Sequence, residues 1–300
     1  MKHAFLILTH FPPEKIYIQV QRLQSADHCF FIHFDKKQVV NPSDPFYGKL
    51  IEMGNVVVLK DRVNVQWGGF RTITATLLLM KEALKDKSID YLHFMSGECL
   101  PVKSMSYFHD YFSKHAGKEF MDYFLMTEKA YHGITFRRLD KYHLHDYFNP
   151  RSPKVKDVVI KLFNSGLRKM QRILKFAGIY RRYPADFPTI YAGRVQWSLT
   201  YATCQYIVSY SEQHPDFYNR FRYTQSADEM YFQTILVNSP FRESITNFNL
   251  RFVNFVGLAS SPRPLTMANI RDVSPDNILF ARKFTPESKE LLDYLEKNVY

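Results

Sequence analysis

Short, unbroken apolar runs alternate with stretches of helical period over the first 100 residues. Ala4 to Leu8, Cys29 to Phe34 and Asn55 to Leu59 are continuous runs of strand length, the pattern of strands buried on both faces. Pro12-Pro13 opens a helical segment in which Ile16, Val20 and Leu23 recur at three- and four-residue spacing. From Phe70 onward, Ile73, Leu77, Met80 and Leu84 fall on one helical face while Lys81, Glu82 and Lys85 occupy others, and Asp90 to Met95 reads as a fourth strand. Strand, helix, strand is a βαβ unit, so the fold class expected is α/β with a mainly parallel central sheet flanked by helices. Such sheets bind ligands at the C-terminal ends of their strands. Those ends are Thr9-His10, Asp35-Lys36-Lys37, Asp61-Arg62 and Ser96-Gly97-Glu98, all polar or charged.

Further along, Lys154 to Phe176 has helical period, with Val155, Val158, Val159, Leu162, Phe163, Leu167, Met170, Ile173 and Leu174 able to line one side and a bend expected at Gly166. It reads as a basic amphipathic helix. Its apolar side either docks on the core or meets a membrane surface or a partner. Tyr191 to Tyr210 predicts a strand and a helix, Ser226 to Leu236 another helix, and the stretch after Thr285-Pro286 a terminal helix through Leu292 and Leu295. With no internal repeat and no clear linker, residues 1–300 read as one domain, with the basic segment 151–182 inside it.

Composition narrows the class. A hydrophobic fraction of 46%, with 26 Phe and 20 Tyr, excludes intrinsic disorder. No stretch approaches the roughly 20 consecutive apolar residues that span a bilayer. The N-terminus has one basic residue and an apolar run too short for the core of a signal peptide, and it reads as the first strand of a cytosolic protein. Cys29, Cys99 and Cys204 are odd in number and far apart, which spells neither a disulfide framework nor a metal knuckle. The net charge of +11 is concentrated: between Arg151 and Arg182, ten basic residues stand against Asp157 alone, and the rest of the chain is close to neutral. A charge confined to one helix, with few interleaved aromatics, argues against a nucleic-acid partner and fits an anionic inner-membrane face.

There is no GxGxxG, GxxxxGK[ST] or GxSxG. No two of the 17 Asp residues sit two apart and none has a Glu two away, so the carboxylate pair that usually holds a divalent metal on a sugar-nucleotide diphosphate is missing. His33-Phe34-Asp35 and His143-Leu144-His145 have a ligating spacing but no third ligand. The most pointed polar cluster is Ser226-Ala227-Asp228-Glu229, which reads structurally as a capping box with acidic residues in a first helical turn. The same arrangement leaves a carboxylate where it can act as a general base toward a bound hydroxyl.

Five segments in order resemble the core-2/I-branching β-1,6-N-acetylglucosaminyltransferase family, glycosyltransferase family 14, which also contains the peptide O-xylosyltransferases. They are Phe31-Ile32-His33-Phe34-Asp35-Lys36-Lys37, Trp67-Gly68-Gly69, Tyr91 to Pro101, Ser226-Ala227-Asp228-Glu229-Met230 and Leu279-Phe280-Ala281-Arg282-Lys283-Phe284. The resemblance implies a GT-A-like fold in one catalytic domain, with 1–115 the nucleotide-sugar-binding half and 116–300 the acceptor-binding and catalytic half, a UDP-sugar donor, inversion at the anomeric carbon and catalysis without metal or other cofactor. It implies Glu229 as catalytic base, Arg263 and Lys283 as the basic pair at the diphosphate, and His10 and Asp35 in the nucleoside pocket. Trp67 and Glu98 join the donor side, while Glu119, Trp197, Phe255 and Asp228 are the acceptor-side candidates. The family's Asp after Ser-Gly aligns with Glu98 or Cys99, its Gly-Ser reads Gly193-Arg194, and Ser261 stands where relatives have His.

The function expected from the resemblance is transfer of a sugar, N-acetylglucosamine or xylose, from UDP to a glycan or lipid-linked glycan. The setting it suggests is a bacterial cytosolic relative engaged in surface-polysaccharide synthesis. The rival reading is a non-catalytic binder of nucleic acid or of an anionic membrane, built on residues 151–182.

Overall fold

The computed structural model describes residues 1–126, 137–147, 157–178, 181, 186–255 and 261–300. The apolar runs become strands, and the periodic stretches become the helices that cover them. In chain order the first part gives β1 (His3–Thr9), α1 (Pro13–Arg22), β2 (His28–Phe34), α2 (Pro45–Glu52), β3 (Val56–Val58), α3 (Arg71–Ala83), β4 (Tyr91–Ser96), β5 (Leu100–Pro101) and α4 (Met105–Lys114). Then come β6 (Glu119–Phe120), β7 (Phe124–Leu125), α5 (Arg137–Asp140), α6 (Asp157–Phe176), β8 (Tyr191–Ala192), β9 (Trp197–Thr200), α7 (Tyr201–Gln213) and α8 (Pro215–Arg220). The last are α9 (Tyr231–Val237), β10 (Ile245–Thr246), β11 (Arg251–Val253), α10 (Ile270–Val273), β12 (Phe280–Arg282) and α11 (Lys289–Asn298).

The main sheet has seven strands in the order β10-β6-β9-β4-β1-β2-β3. β1 is paired in parallel with β2 and β4, and β2 with β3, so the expected parallel α/β core is present, in keeping with a GT-A-like glycosyltransferase fold. Alternate side chains leave β1 on opposite faces. Ala4 and Leu6 pack with α3, α7 and α9 on one side, while Phe5 and Ile7 pack with α1 and α4 on the other. β9 runs antiparallel to β4 with Trp197 opposite Phe94. This reversal matters for the site, because it brings the residues just before β9 to the C-terminal end of β4.

A second sheet, β11-β12-β5, shares a core with α11 through Leu100, Ala281, Leu291 and Leu295. Arg251 ties the two sheets together: it is buried, donates to Ser198 Oγ (2.8 Å) and the Trp197 carbonyl (2.9 Å), and lies over the Phe280 ring.

Two local expectations are corrected. Ser226 is not an N-cap: it takes φ 48°, its side chain caps nothing, and a three-residue 3₁₀ turn (Ala227–Glu229) follows before the chain breaks at Met230 and restarts as α9. Long-range backbone bonds set this bend, with the Ser226 N–H donating to the Gly68 carbonyl (2.8 Å) and the Gly193 N–H to the Glu229 carbonyl (2.8 Å). The second correction concerns the basic helix: of the two placements open to its apolar side, docking on the protein holds only in part, with Leu167 and Leu174 half-buried. Val158, Leu162, Ile173 and Phe176 are exposed, and among the α6 residues whose burial is described only Asn164 is buried. Arg151, Lys154, Val155, Lys156 and Arg182 lie outside the described residues; Arg181 is buried and donates to the carbonyls of Lys141 (2.8 Å) and Tyr223 (2.9 Å).

Candidate active site

Glu229 stands at the end of the 3₁₀ turn with its side chain about a quarter exposed (28%). Its Oε2 accepts from Arg138 Nη1 at 2.5 Å, and Oε1 accepts no bond from a described residue. Burial raises the Glu229 carboxyl above the ordinary glutamate value, and the Arg138 charge opposes the shift. Next to it, burial and then the Glu229 charge push Asp228 up to about 7. A half-shielded carboxylate with one oxygen that accepts from no described residue, and a pKa moved toward neutrality, has the properties of a general base.

The turn is held by the segments that carry the family-like glycines. Gly68 has φ +67°, and a Cβ on Gly69 would lie 2.2 Å from Asp146 Oδ1. That carboxylate is occupied in capping α3, accepting from the N–H groups of Phe70 (3.1 Å) and Arg71 (3.3 Å). Trp67 is exposed beside this turn and stacks on His145, which burial holds below the ordinary imidazole value. Gly193 is equally constrained, since a Cβ there would lie 1.9 Å from the Asp122 carbonyl oxygen. Three residues on, the buried Gln196 reaches Ser96 Oγ at 3.5 Å, which links the Glu229 turn to the end of β4.

At the strand ends a second cluster forms. The Glu98 carboxylate is 3.3 Å from Lys15 Nζ and 3.8 Å from Lys283 Nζ. Cys99, the other alignment candidate, is fully buried, so Glu98 is the residue whose side chain joins the cluster. Asp35 is buried at the end of β2, accepts from the Lys37 N–H (2.9 Å) and pairs with Lys37 Nζ (3.3 Å). Between them stands His10, drawn below the ordinary imidazole value by partial desolvation; Glu98 and Asp35 pull it upward, Lys37 and Lys15 downward. Arg263 comes alongside through the backbone: its N–H donates to the Asn254 carbonyl (2.8 Å), and the Leu265 N–H donates to the Lys283 carbonyl (3.0 Å). Its guanidinium is exposed and pairs with no carboxylate among the described residues. Phe255, beside Asn254, is also exposed.

Two acceptor-side candidates sit elsewhere. Trp197 is fully buried, stacked on Phe94, with Phe232 also against it, and it belongs to the core. Glu119 is 1% exposed and spent on the start of α7, accepting from the Thr200 N–H (2.9 Å), Thr200 Oγ1 (2.6 Å) and Thr203 Oγ1 (2.7 Å). Burial raises its carboxyl above the usual range, and those bonds oppose the shift. Glu119→Ala is therefore expected to lower folding stability by roughly 3 kcal/mol, because three donors lose a buried acceptor. A denaturant titration reads this; unchanged stability with a selective rise in acceptor KM would return Glu119 to the acceptor side.

Both motifs of ligating spacing have a histidine engaged in the fold. His33 Nε2 accepts from the Val63 N–H (2.9 Å), and His145 lies against Trp67 and Gly68. No group of three or more His, Cys, Asp or Glu among the described residues is placed to hold a metal ion. No described helix is long and apolar enough to cross a membrane. Sequence reasoning missed Arg138 and Lys15, since each meets its carboxylate only through the fold, from 91 and 83 residues away.

Comparison with known proteins agrees with this arrangement. A model of the Core-2/I-Branching enzyme family matches residues 3–279. Xylosyltransferase 2 of Rattus norvegicus is 26% identical over 330 aligned positions, covering 99% of this chain and 33% of that protein. Xylosyltransferase oxt of Drosophila pseudoobscura pseudoobscura is 31% identical over 112 residues, 34% of this chain and 12% of that protein. The chain thus spans a third or less of the length of these curated relatives. With the family match running through Lys15, Asp35, Glu98 and the Glu229 turn and ending four residues before Lys283, the chain belongs to the Core-2/I-Branching enzyme family.

Proposed function

We propose that the chain transfers a sugar from a UDP-sugar to a glycan hydroxyl in one inverting displacement, without metal. The observation that carries this reading is the Glu229 carboxylate, held on one oxygen by Arg138 and, among the described residues, without a donor on the other. The acceptor hydroxyl attacks the anomeric carbon from the face opposite the diphosphate. A C–O bond to the acceptor forms, the bond to the β-phosphate oxygen breaks, and the hydroxyl proton passes to Glu229. As UDP departs, its diphosphate gains negative charge, and fixed cations placed there stabilise the transition state.

Lys283 and Arg263 are the groups proposed for that role, the first a point charge and the second able to grip two phosphate oxygens. Lys283 lies close to Glu98 at only 3.8 Å, a loose contact that a diphosphate would outcompete. His10, Asp35, Trp67 and Glu98 are proposed on the donor side, Asp228 and Phe255 on the acceptor side. The names of the similar proteins favour xylose, and the family resemblance adds N-acetylglucosamine.

Excess EDTA is expected to leave turnover unchanged, while Lys283→Ala lowers kcat by about a hundredfold, the scale of losing one charge-stabilising donor. Loss of turnover in EDTA, restored by Mn²⁺, would overturn the assignment of the basic pair.

A further inference from the structure

We infer that α6 is an interfacial helix that lays its apolar stripe into an anionic lipid surface. Projected at 100° per residue, α6 has three faces. One is the docked face: Asn164 is buried, Leu167, Gln171 and Leu174 are half-buried, and Gln171 clasps the backbone of Tyr142, accepting from its N–H at 2.6 Å and donating to its carbonyl at 3.0 Å. Lys175 adds a contact to Asp140 at 3.3 Å. The second face is a stripe of Val158, Val159, Leu162, Met170, Ile173 and Phe176, each between 51% and 89% exposed.

The third face borders the stripe and carries Lys161, Arg168 and Arg172, while Lys169 projects within the stripe, between Phe176 and Leu162. All four are exposed, and none pairs with a carboxylate among the described residues. An apolar stripe beside unpaired cations on a helix unable to cross a bilayer is the chemistry of a helix lying in the plane of a negatively charged membrane. Charge selects that occupant over a second copy, because two such helices face to face would oppose like charges, whereas anionic headgroups neutralise them. The helix is joined to the catalytic corner by one short segment, in which Arg138 holds Glu229 and Asp140 and Tyr142 hold α6. Docking would therefore set the Glu229 side of the molecule close to the lipid.

The inference goes beyond sugar transfer and does not rest on it, since vesicle binding is read without turnover. The full chain is co-sedimented with vesicles of phosphatidylcholine alone and with vesicles that also contain phosphatidylglycerol. Binding is expected only to the second kind and is expected to fall as salt is raised. Lys161→Ala and Arg172→Ala each lower the vesicle partition about fivefold, the equivalent of ~1 kcal/mol per cation near the surface. The pair Leu162→Ser with Ile173→Ser lowers it by on the order of a hundredfold. These side chains are exposed, so circular dichroism is expected to report an unchanged fold. Absence of binding to anionic vesicles, or binding indifferent to both sets of variants, overturns the inference. So does a concentration-dependent dimer that Leu162→Ser with Ile173→Ser dissolves, which would assign the stripe to a second copy.

Discussion

Glu229→Gln is expected to lower sugar transfer by about 10²- to 10⁴-fold, the range of a lost general base, with little change in stability. The substitution retains an oxygen for the Arg138 contact and removes only the capacity to take a proton. Because burial raises the Glu229 carboxyl above the ordinary glutamate value, the acidic limb of the kcat/KM profile is expected above that of a solvated glutamate. Arg138 opposes that rise through its charge and its hydrogen bond, so Arg138→Ala should move the limb further toward neutral pH. A merely structural role for Arg138 would lower activity without moving the limb. Wild-type turnover by a folded Glu229→Gln protein would remove Glu229 from the chemistry.

The second large effect is on stability in acid. His3, His28 and His93 are buried on the α4 side of the sheet, where His3 Nδ1 shares a hydrogen bond with His93 Nε2 (3.0 Å) and His93 Nδ1 with Ser198 Oγ (2.8 Å). Ser198 also accepts from the buried Arg251, so a fixed cation stands at the end of the chain of rings. Burial pushes His28 down to about 4 and His3 to about 2, and holds His93 well below the ordinary value. A group whose folded pKa is depressed binds fewer protons folded than unfolded, so its contribution is present above the unfolded pKa of about 6.5 and is lost as pH falls. For His28 the window runs from about 6.5 down to about 4.

The raised carboxyls, Asp228 above all, act in the opposite direction, since they bind protons first in the folded state. The total pH dependence is thus a sum, and one variant isolates one term. His28 Nδ1 lies 2.6 Å from the Leu23 carbonyl, a bond that Asn can reproduce without titrating. The stability gap between wild type and His28→Asn is expected to shift against wild type by up to ~1.4 kcal/mol per pH unit, roughly 3 kcal/mol over the window. Denaturant titrations at pH 7 and pH 4 read the gap. A constant gap would mean that His28 protonates as readily in the folded protein as outside it.

How much of this was legible in the chain follows from where the physical signal is written. β1, β2 and β4 are long runs buried on both faces, and such runs announce themselves; the observed strands differ from the expected ones only at their ends. The two- and three-residue strands β5, β6, β10, β11 and β12 carry no period at all, and they exist because distant backbone completes them. The polar strand ends were readable because a parallel sheet leaves its C-terminal edge open, and His10, Asp35 and Glu98 do gather there with Lys15 and Lys283.

The misreadings share a cause. Ser226 to Glu229 has the spacing of a capping box, but backbone bonds to the Gly68 carbonyl and from the Gly193 N–H outweigh a local cap. Glu119 and Trp197 are residue types that bind sugars, and the fold uses one to start α7 and the other to fill the core. The amphipathic period of α6 was visible, whereas which face would meet the protein was not. Asn164, Leu167, Gln171 and Leu174 form a row as regular as the apolar stripe, and the contacts to Tyr142 and Asp140 mark the docked side.

The central claim is sugar transfer from a UDP-linked donor, and UDP release tests it most directly. Purified protein is incubated with a panel of UDP-sugars in EDTA, without added acceptor, and free UDP is measured. The account predicts slow release from one member of the panel, which would also name the sugar. No release from any UDP-sugar, together with no thermal shift on adding UDP itself, would contradict it.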